Sequence, residues 1–258
     1  MGAPFTGQLL GWKRLESGQL VPNSADTNST PSKMLAAAIL EHLGVHREVS
    51  PETPRDPGPA LEVAVRDDLN STLGELNGKQ EWDVDHRKLI TAFGQYIHLA
   101  KLSALLAIYP ELRAELGRDY LIKPDVTVAV QESPLAGGHP FLHAAVSCKW
   151  TIRSDRVQNI RHEFLQMIKH RRGRLPHLVA VTAEPMPSRI AAIARGTGEV
   201  DAVYHIAYDS LAAAVEEIGS RQQKDDWKEC IEQGRVLPYE KLAPTLAGSV
   251  TGGPCHDV

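Results

Sequence analysis

Residues Tyr120 to Ile152 read YLIKPDVTVAVQESPLAGGHPFLHAAVSCKWTI, and two runs within them, YLIKPDVTVAV and FLHAAVSCKWTI, are dense in aliphatic and β-branched side chains. Runs of that kind suit buried strands, and the Gly-Gly and Pro of the intervening ESPLAGGHP are turn chemistry. The stretch therefore predicts two antiparallel neighbours. If the turn centres on Gly137, Asp125 and Lys149 are equidistant from it and meet at the open end of the pair. Downstream, RVQNIRHEFLQMIKHRR reads as a helix halting at Gly173, LPHLVAVTA as a buried strand, PSRIAAIAR as a short helix and VDAVYHIA as another strand. Helices at Leu211 to Ile218 and about Asp225 to Gln233 follow, and the stretch from about 245 to 258 reads as a mobile tail. Upstream, residues 1 to about 58 read as an irregular arm with one helix at Lys33 to Leu43. From Pro59, Leu61, Val65, Leu69, Leu73 and Leu76 recur at three-to-four spacing, an amphipathic helix with Glu62 beside its apolar stripe. The tract from Asp85 to Gly117 reads as helical, broken at Pro110. These elements predict one α/β domain over residues 1–258, a central mixed β-sheet flanked by helices.

Of the 258 residues 42% are apolar and 23% charged, the mean hydropathy is -0.25, and no apolar run approaches the ~18 residues of a membrane span. That balance excludes a collagen-like chain and wholesale disorder. Cys148, Cys230 and Cys255 are too few and too scattered for a disulfide framework or a zinc site. Together with an N-terminus lacking the pattern of a secretory signal, this predicts a cytoplasmic address without a membrane partner. The net charge of -4 argues against nucleic acid as a partner in bulk. It hides a reversal between Lys149 and Arg174, where eight basic residues face only Asp155 and Glu163. That segment is a candidate face for a polyanion.

Asp125 and Lys149 are the candidate chemistry. Phosphodiester hydrolysis uses a divalent cation held by carboxylates, with a lysine near the nucleophile. Asp125 and the backbone carbonyl of Cys148 are hard oxygen donors suited to Mg2+, and Lys149 could orient the water or stabilise transition-state charge. Taken alone, an aspartate and a lysine so placed form a structural ion pair more often than a catalytic site. Arg153, Ser154, Asp155 and Arg156 form a candidate base reader. Arginine bridges guanine O6 and N7 in the major groove, and a carboxylate accepts from the cytosine amine. Ser154 or Asp155 also suits the N-cap of the following helix, and the two roles are compatible. The histidines show no paired ligand spacing, and Gly196-x-Gly198 lacks the rest of a dinucleotide fingerprint.

Ser147-Cys148-Lys149-Trp150-Thr151-Ile152-Arg153-Ser154-Asp155-Arg156, followed by Glu163, resembles the NgoMIV-type restriction endonucleases, a branch of the PD-(D/E)xK nuclease superfamily. In that branch a serine stands where the usual second carboxylate would be, and a glutamate of the next helix replaces it; Ser147 and Glu163 match that exchange. The resemblance continues through Arg171 to His177, Thr182 to Arg189 and Gly196 to Glu199, over most of residues 20 to 210. It implies a catalytic set of Glu62, Asp125, Ser147, Lys149 and Glu163, with Glu62 and Glu163 joining Asp125 and the Cys148 carbonyl around Mg2+. By itself Glu62, in the first turn of its helix, reads as a partner of the helix dipole.

The resemblance further implies a type II restriction endonuclease that cuts double-stranded DNA at a CCGG-centred palindrome, GCCGGC, leaving a 5' overhang. Asp26 and Arg189 match its outer-pair readers, and Arg55 stands where the family carries glutamine. A palindrome calls for a two-fold symmetric homodimer. The resemblance implies a homotetramer of two such dimers and a cognate DNA methyltransferase as genetic partner. The rival expectations are a structure-selective or repair nuclease of the same superfamily and a catalytically silent DNA-binding protein.

Overall fold

The computed structural model describes residues 2–77, 80–109, 111, 120–131, 138–152, 154–196 and 198–250. Among them a six-stranded sheet runs β3 (Trp82–His86), β4 (Val126–Val130), β5 (Phe141–Lys149), β6 (His177–Thr182), β7 (Ala202–His205) and β8 (Val236–Pro238), in spatial as well as chain order. The pairings β3–β4 and β4–β5 are antiparallel, and those from β5 through β8 are parallel. The expected mixed sheet is thus present. Every residue of β4 and all of β5 but Lys149 are buried. A strand covered on both faces reads as a continuous aliphatic run without alternation, which is why these two were legible.

The parallel strands are linked by helices lying against the sheet, as parallel neighbours require. These are α5 (Ser154–His170), α6 (Pro187–Ala194), and the pair α7 (Tyr208–Ile218) and α8 (Arg221–Glu232). On the N-terminal side, α3 (Pro57–Leu76) packs on β3 and β5 through Leu61, Val65, Leu69 and Leu73, all without exposed surface, whereas Leu76 falls outside the stripe. The helix α2 (Thr30–His42) packs on α7, and its Ser29 hydroxyl accepts from the Ser32 N–H as a cap. At the end of α5, Gly173 takes φ 98°, a conformation glycine adopts without a steric cost.

The structure departs from the sequence expectations at four places. First, the tract from Asp85 does not begin as a helix: Trp82–His86 is an edge strand, single 3-10 turns follow, and α4 spans only Ile97–Ile108. Arg87 ends the strand at φ 53°, among the described residues the only non-glycine with positive φ, and no helix propagates through that conformation. Pro110 lies outside the described residues.

Second, β4 and β5 are displaced by two residues from the expected register, with Val126 opposite Val146, Val128 opposite Ala144, and a bulge between Val128 and Ala129. The shift is two residues between the open end and the bulge, which leaves those side chains on their faces, so the open end still brings Asp125 to Lys149. Third, the arm is ordered. It carries α1 (Thr6–Leu9) and the ribbon β1 (Trp12–Arg14) with β2 (Leu20–Pro22), and Ala3, Phe5, Leu9, Leu10 and Trp12 join the core. Asn23 knits it together, donating to the Leu9 carbonyl (2.7 Å) and accepting from the Gly11 N–H (3.2 Å), while the Trp150 indole donates to the Asn23 carbonyl (3.1 Å).

Fourth, part of the expected tail is helix: α9 (Leu242–Val250) buries Leu242 and Leu246 and packs on α3, and the rest of that tail, residues 251–258, lies outside the described residues. No helix among the described residues is long and apolar enough to cross a membrane.

Candidate active site and nucleic-acid interface

Topology gathers the site. With β3 and β5 both antiparallel to β4, the C-terminal ends of β3 and β5 and the N-terminal end of β4 fall at one edge of the sheet, joined there by the C-terminal ends of the parallel β6 and β7. His86, Arg87, Asp125, Lys149 and Glu184 all lie at or next to those ends.

Asp125, just before β4, is the hub. Its Oδ2 accepts from Lys149 Nζ (2.7 Å), from the Cys148 N–H (2.7 Å) and, more weakly, from Ser147 Oγ (3.4 Å). All three converge on one oxygen, and Oδ1 makes no hydrogen bond among the described residues. In a strand a residue's N–H and C=O point to the same side, so the Cys148 carbonyl is turned to the edge occupied by Asp125. The Cys148 thiol is buried and pushed well up by that burial, so it packs as an apolar group. The Asp125 and Lys149 side chains keep 16% and 23% of their surface, so the pair is sheltered yet reachable.

Glu163 comes from α5, half-buried, and makes no hydrogen bond or ion pair among the described residues. Burial pushes its carboxyl above the ordinary range; the Lys149 charge opposes that and the Asp125 charge adds to it. Glu163 therefore feels the charges of both members of the Asp125–Lys149 pair.

Glu62, on the first turns of α3, is buried and committed. Arg87 grips it as a fork, Nε to Oε2 at 2.8 Å and Nη2 to Oε1 at 2.9 Å, and His86 Nε2 lies 2.8 Å from Oε2. Burial pushes this carboxyl up, but the bonds from Arg87 and His86 outweigh it and hold it below the ordinary range. The expected convergence of Glu62 on Asp125 and Glu163 is not realised: among the described residues no three His, Cys, Asp or Glu side chains are placed to hold a metal ion. With Glu62 engaged by Arg87 and His86, Asp125, Glu163 and the Cys148 carbonyl are the oxygens left that could hold a cation. That oxygen set fits Mg2+, which keeps several waters and takes one or two carboxylates plus substrate phosphate oxygens.

The three expected outer-pair residues share one cleft. A cavity of about 590 Å³ is lined by Lys13, Asp26, Arg55, Trp150, Thr151 and Arg189 among others, and Asp26 Oδ2 accepts from Arg189 Nη2 at 2.6 Å. Asp26 is fixed from its own arm: its N–H donates to the Ser32 hydroxyl (3.0 Å) and its Oδ1 accepts from the Asn28 N–H (3.0 Å). Arg153 lies outside the described residues, as do the side chains of Ser154, Asp155 and Arg156, whose backbone opens α5.

Sequence reasoning missed His86 and Arg87, which were absorbed into a supposed helix, and Glu184, fully buried behind Arg189. The alternation of Trp82 and Val84 with charged residues was a signal for the strand that carries the first two.

A mixed α/β sheet whose edge pairs an aspartate with a lysine, next to a polar cleft and a basic segment, has the layout of a PD-(D/E)xK nuclease. The sequence model of the family described as NgoMIV restriction enzyme matches residues 13–137 and 130–242, and the chain belongs to that family. It is 38% identical over 259 residues to the type II restriction enzyme NgoMIV of Neisseria gonorrhoeae, covering 88% of this chain and 90% of that one. A crystal structure of the type IIF restriction endonuclease Bse634I with cognate DNA matches 80% of this chain and 96% of that chain at 12% identity, with a TM-score of 0.36. The protein is accordingly a restriction endonuclease, a site-specific deoxyribonuclease.

Proposed function

We propose that this endonuclease recognises the duplex palindrome GCCGGC through a CCGG core and, with Mg2+, hydrolyses one phosphodiester in each strand to leave a 5' overhang. The observation that carries the chemistry is the convergence of Lys149 Nζ and the Cys148 N–H on Asp125 Oδ2, both at 2.7 Å, with Glu163 feeling both charges and making no hydrogen bond among the described residues.

Asp125, the Cys148 carbonyl and Glu163 are the groups that would hold the cation. Mg2+ supplies a more acidic water and neutralises charge developing on the phosphate. Asp125 keeps the Lys149 ammonium at the sheet edge, where it orients the attacking water or meets the charge of the transition state. Ser147 steadies Asp125 through its hydroxyl. Glu62, kept ionised by Arg87, contributes negative potential from the α3 side and becomes a direct ligand only if Arg87 turns to the DNA phosphate.

Specificity divides between two groups. Arg153, Ser154, Asp155 and Arg156 carry the C and G chemistry of the core, and Asp26, Arg189 and Arg55, gathered in one cleft, are placed to read the outer pair. A palindrome requires two copies related by a two-fold axis, so the active species is a homodimer, and the family resemblance favours a homotetramer. A cognate DNA methyltransferase would protect the host sequence.

The test is digestion of a plasmid carrying two GCCGGC sites with and without Mg2+, followed by sequencing of the ends. Discrete Mg2+-dependent cuts inside GCCGGC are the expected result; cuts that follow flaps or junctions, or no cuts, refute it.

A further inference from the structure

Glu184 has no assigned role, yet its position is unusual. It follows β6 by two residues, has no exposed surface, and carries a carboxylate, which is costly to bury without partners. Its partners come from both sides of the recognition surface. Oε2 accepts from the Ile152 N–H at 2.6 Å and Oε1 from the Met186 N–H at 3.1 Å. Ile152 precedes Arg153 in the chain, and Met186 is the N-cap residue of α6, which carries Arg189. The Arg189 guanidinium lies over the same carboxylate, Nη1 at 3.8 Å from Oε1, while its Nη2 holds Asp26. The Glu184 main chain reaches the catalytic strand as well: its N–H donates to Thr182 Oγ1 (3.1 Å), and that hydroxyl donates to the Lys149 carbonyl (2.7 Å).

We propose that Glu184 is a positioning residue for sequence discrimination, one carboxylate that holds the segment leading to Arg153 and the guanidinium of Arg189 in a single frame with Lys149. The proposal rests on the reading of Arg153 to Arg156 and of Asp26 with Arg189 as base readers. Base contacts discriminate only while their geometry is held within ~0.5 Å, and this one side chain touches both the Ile152 N–H ahead of one reader and the guanidinium of the other. A glutamine in its place keeps the shape but turns an amide NH2 toward a backbone N–H and removes the charge beneath Arg189. Inner and outer discrimination therefore loosen together.

The groups facing the carboxylate are Arg189 of α6, Asp26 of the arm, and the N–H groups of Ile152 and Met186. His205 of β7 reaches Glu184 through its main-chain carbonyl alone, its other ring nitrogen accepting from the Ala207 N–H, and its own imidazole is pushed by burial down to about 4. Burial raises the Glu184 carboxyl to about 7 against the pull of these N–H groups and Arg189, so its charge is present at pH 8 and mostly absent at pH 6.

The experiment compares kcat/KM at pH 8 on GCCGGC, on ACCGGT (outer pair changed) and on GTCGAC (inner pair changed) for the wild type, Glu184→Gln and Val215→Ala, the last a destabilising change in the distant α7. Expected is a loss of at least about tenfold in preference against both altered sites for Glu184→Gln, with wild-type preference in Val215→Ala. In the wild type alone, which needs no variant to fold, preference against ACCGGT rises by up to about tenfold from pH 6 to pH 8, following the ionised fraction of the carboxylate. Unchanged preference in Glu184→Gln, an equal loss in Val215→Ala, or a flat wild-type pH profile overturns the proposal. If the wild type prefers a different palindrome, the GCCGGC reading fails while the Glu184 comparison is decided on that palindrome; a wild type with no sequence preference overturns both.

Discussion

Replacing Glu184 by glutamine leaves a pH signature in folding stability. Burial holds the carboxyl up to about 7 in the folded protein, against an ordinary value of 4.5. Between those values the native state keeps a proton that the unfolded chain has released, so stability falls as pH rises. The contribution is fully present below 4.5 and lost once pH has passed through about 7. At 1.36 kcal/mol per tenfold change in proton affinity, the loss between pH 5 and pH 8 is about 2–3 kcal/mol. Glutamine does not titrate. It has a pH-independent cost instead, the amide–N–H clash at one of the two bonds from Ile152 and Met186, worth about 1–3 kcal/mol. Urea unfolding of both proteins at pH 5 and pH 8, at one protein concentration because self-association shifts the midpoint, gives the difference directly. The wild-type advantage over Glu184→Gln should shrink by about 2–3 kcal/mol at the higher pH. An advantage that stays constant would mean the carboxylate is ionised across the range, and one that grows would mean that Arg189 stabilises its charge more than burial opposes it.

Alanine at Asp125 or at Lys149 should lower cleavage by at least ~100-fold while leaving a gel shift with GCCGGC duplex, since neither residue lines the Asp26–Arg189 cleft beside them; near-wild-type cutting in either variant would remove the pair from the chemistry. Arg87→Gly should unfold at higher urea than Arg87→Ala, by about 1 kcal/mol, because both lose the fork on Glu62 but only glycine is relaxed at a positive φ. Equal stabilities would mean the left-handed turn is not kept in the variants. Chelation should stop cutting, and Mg2+ should both restore it and raise the melting temperature of the wild type while leaving that of Asp125→Ala unmoved, because the proposed cation site loses its central carboxylate with Asp125. An equal rise in both would place the cation elsewhere.

Elements buried on two faces or along one clean stripe were readable in the chain itself. The aliphatic runs of β4 and β5 and the Leu61, Val65, Leu69 and Leu73 stripe of α3 state their burial through composition and period. The edge strand Trp82–His86 did not, because its five residues are all half-buried and three of them are charged or titratable, a pattern that resembles the exposed face of a helix. Its loss concealed His86 and Arg87, and with them the reason Glu62 points where it does. The meeting of Asp125 with Lys149 followed from hairpin symmetry although the register differed by two, since that displacement preserves the faces. Ser147, Glu163 and Glu62 were reached only through family likeness, because nothing in their spacing distinguishes them from an ordinary strand serine and helix glutamates. Glu184 was invisible to pattern: a single acid after an apolar strand reads as a surface residue, and only tertiary contacts place it beneath Arg189 without exposed surface.

The most direct measurement is cleavage of a DNA library with a randomised central segment by the purified protein in Mg2+, with the cut ends sequenced. The account predicts ends that share CCGG at their centre, enriched for flanking G and C as GCCGGC, and no enrichment with Lys149→Ala. Ends without a common sequence, or an enriched palindrome lacking CCGG, would contradict it.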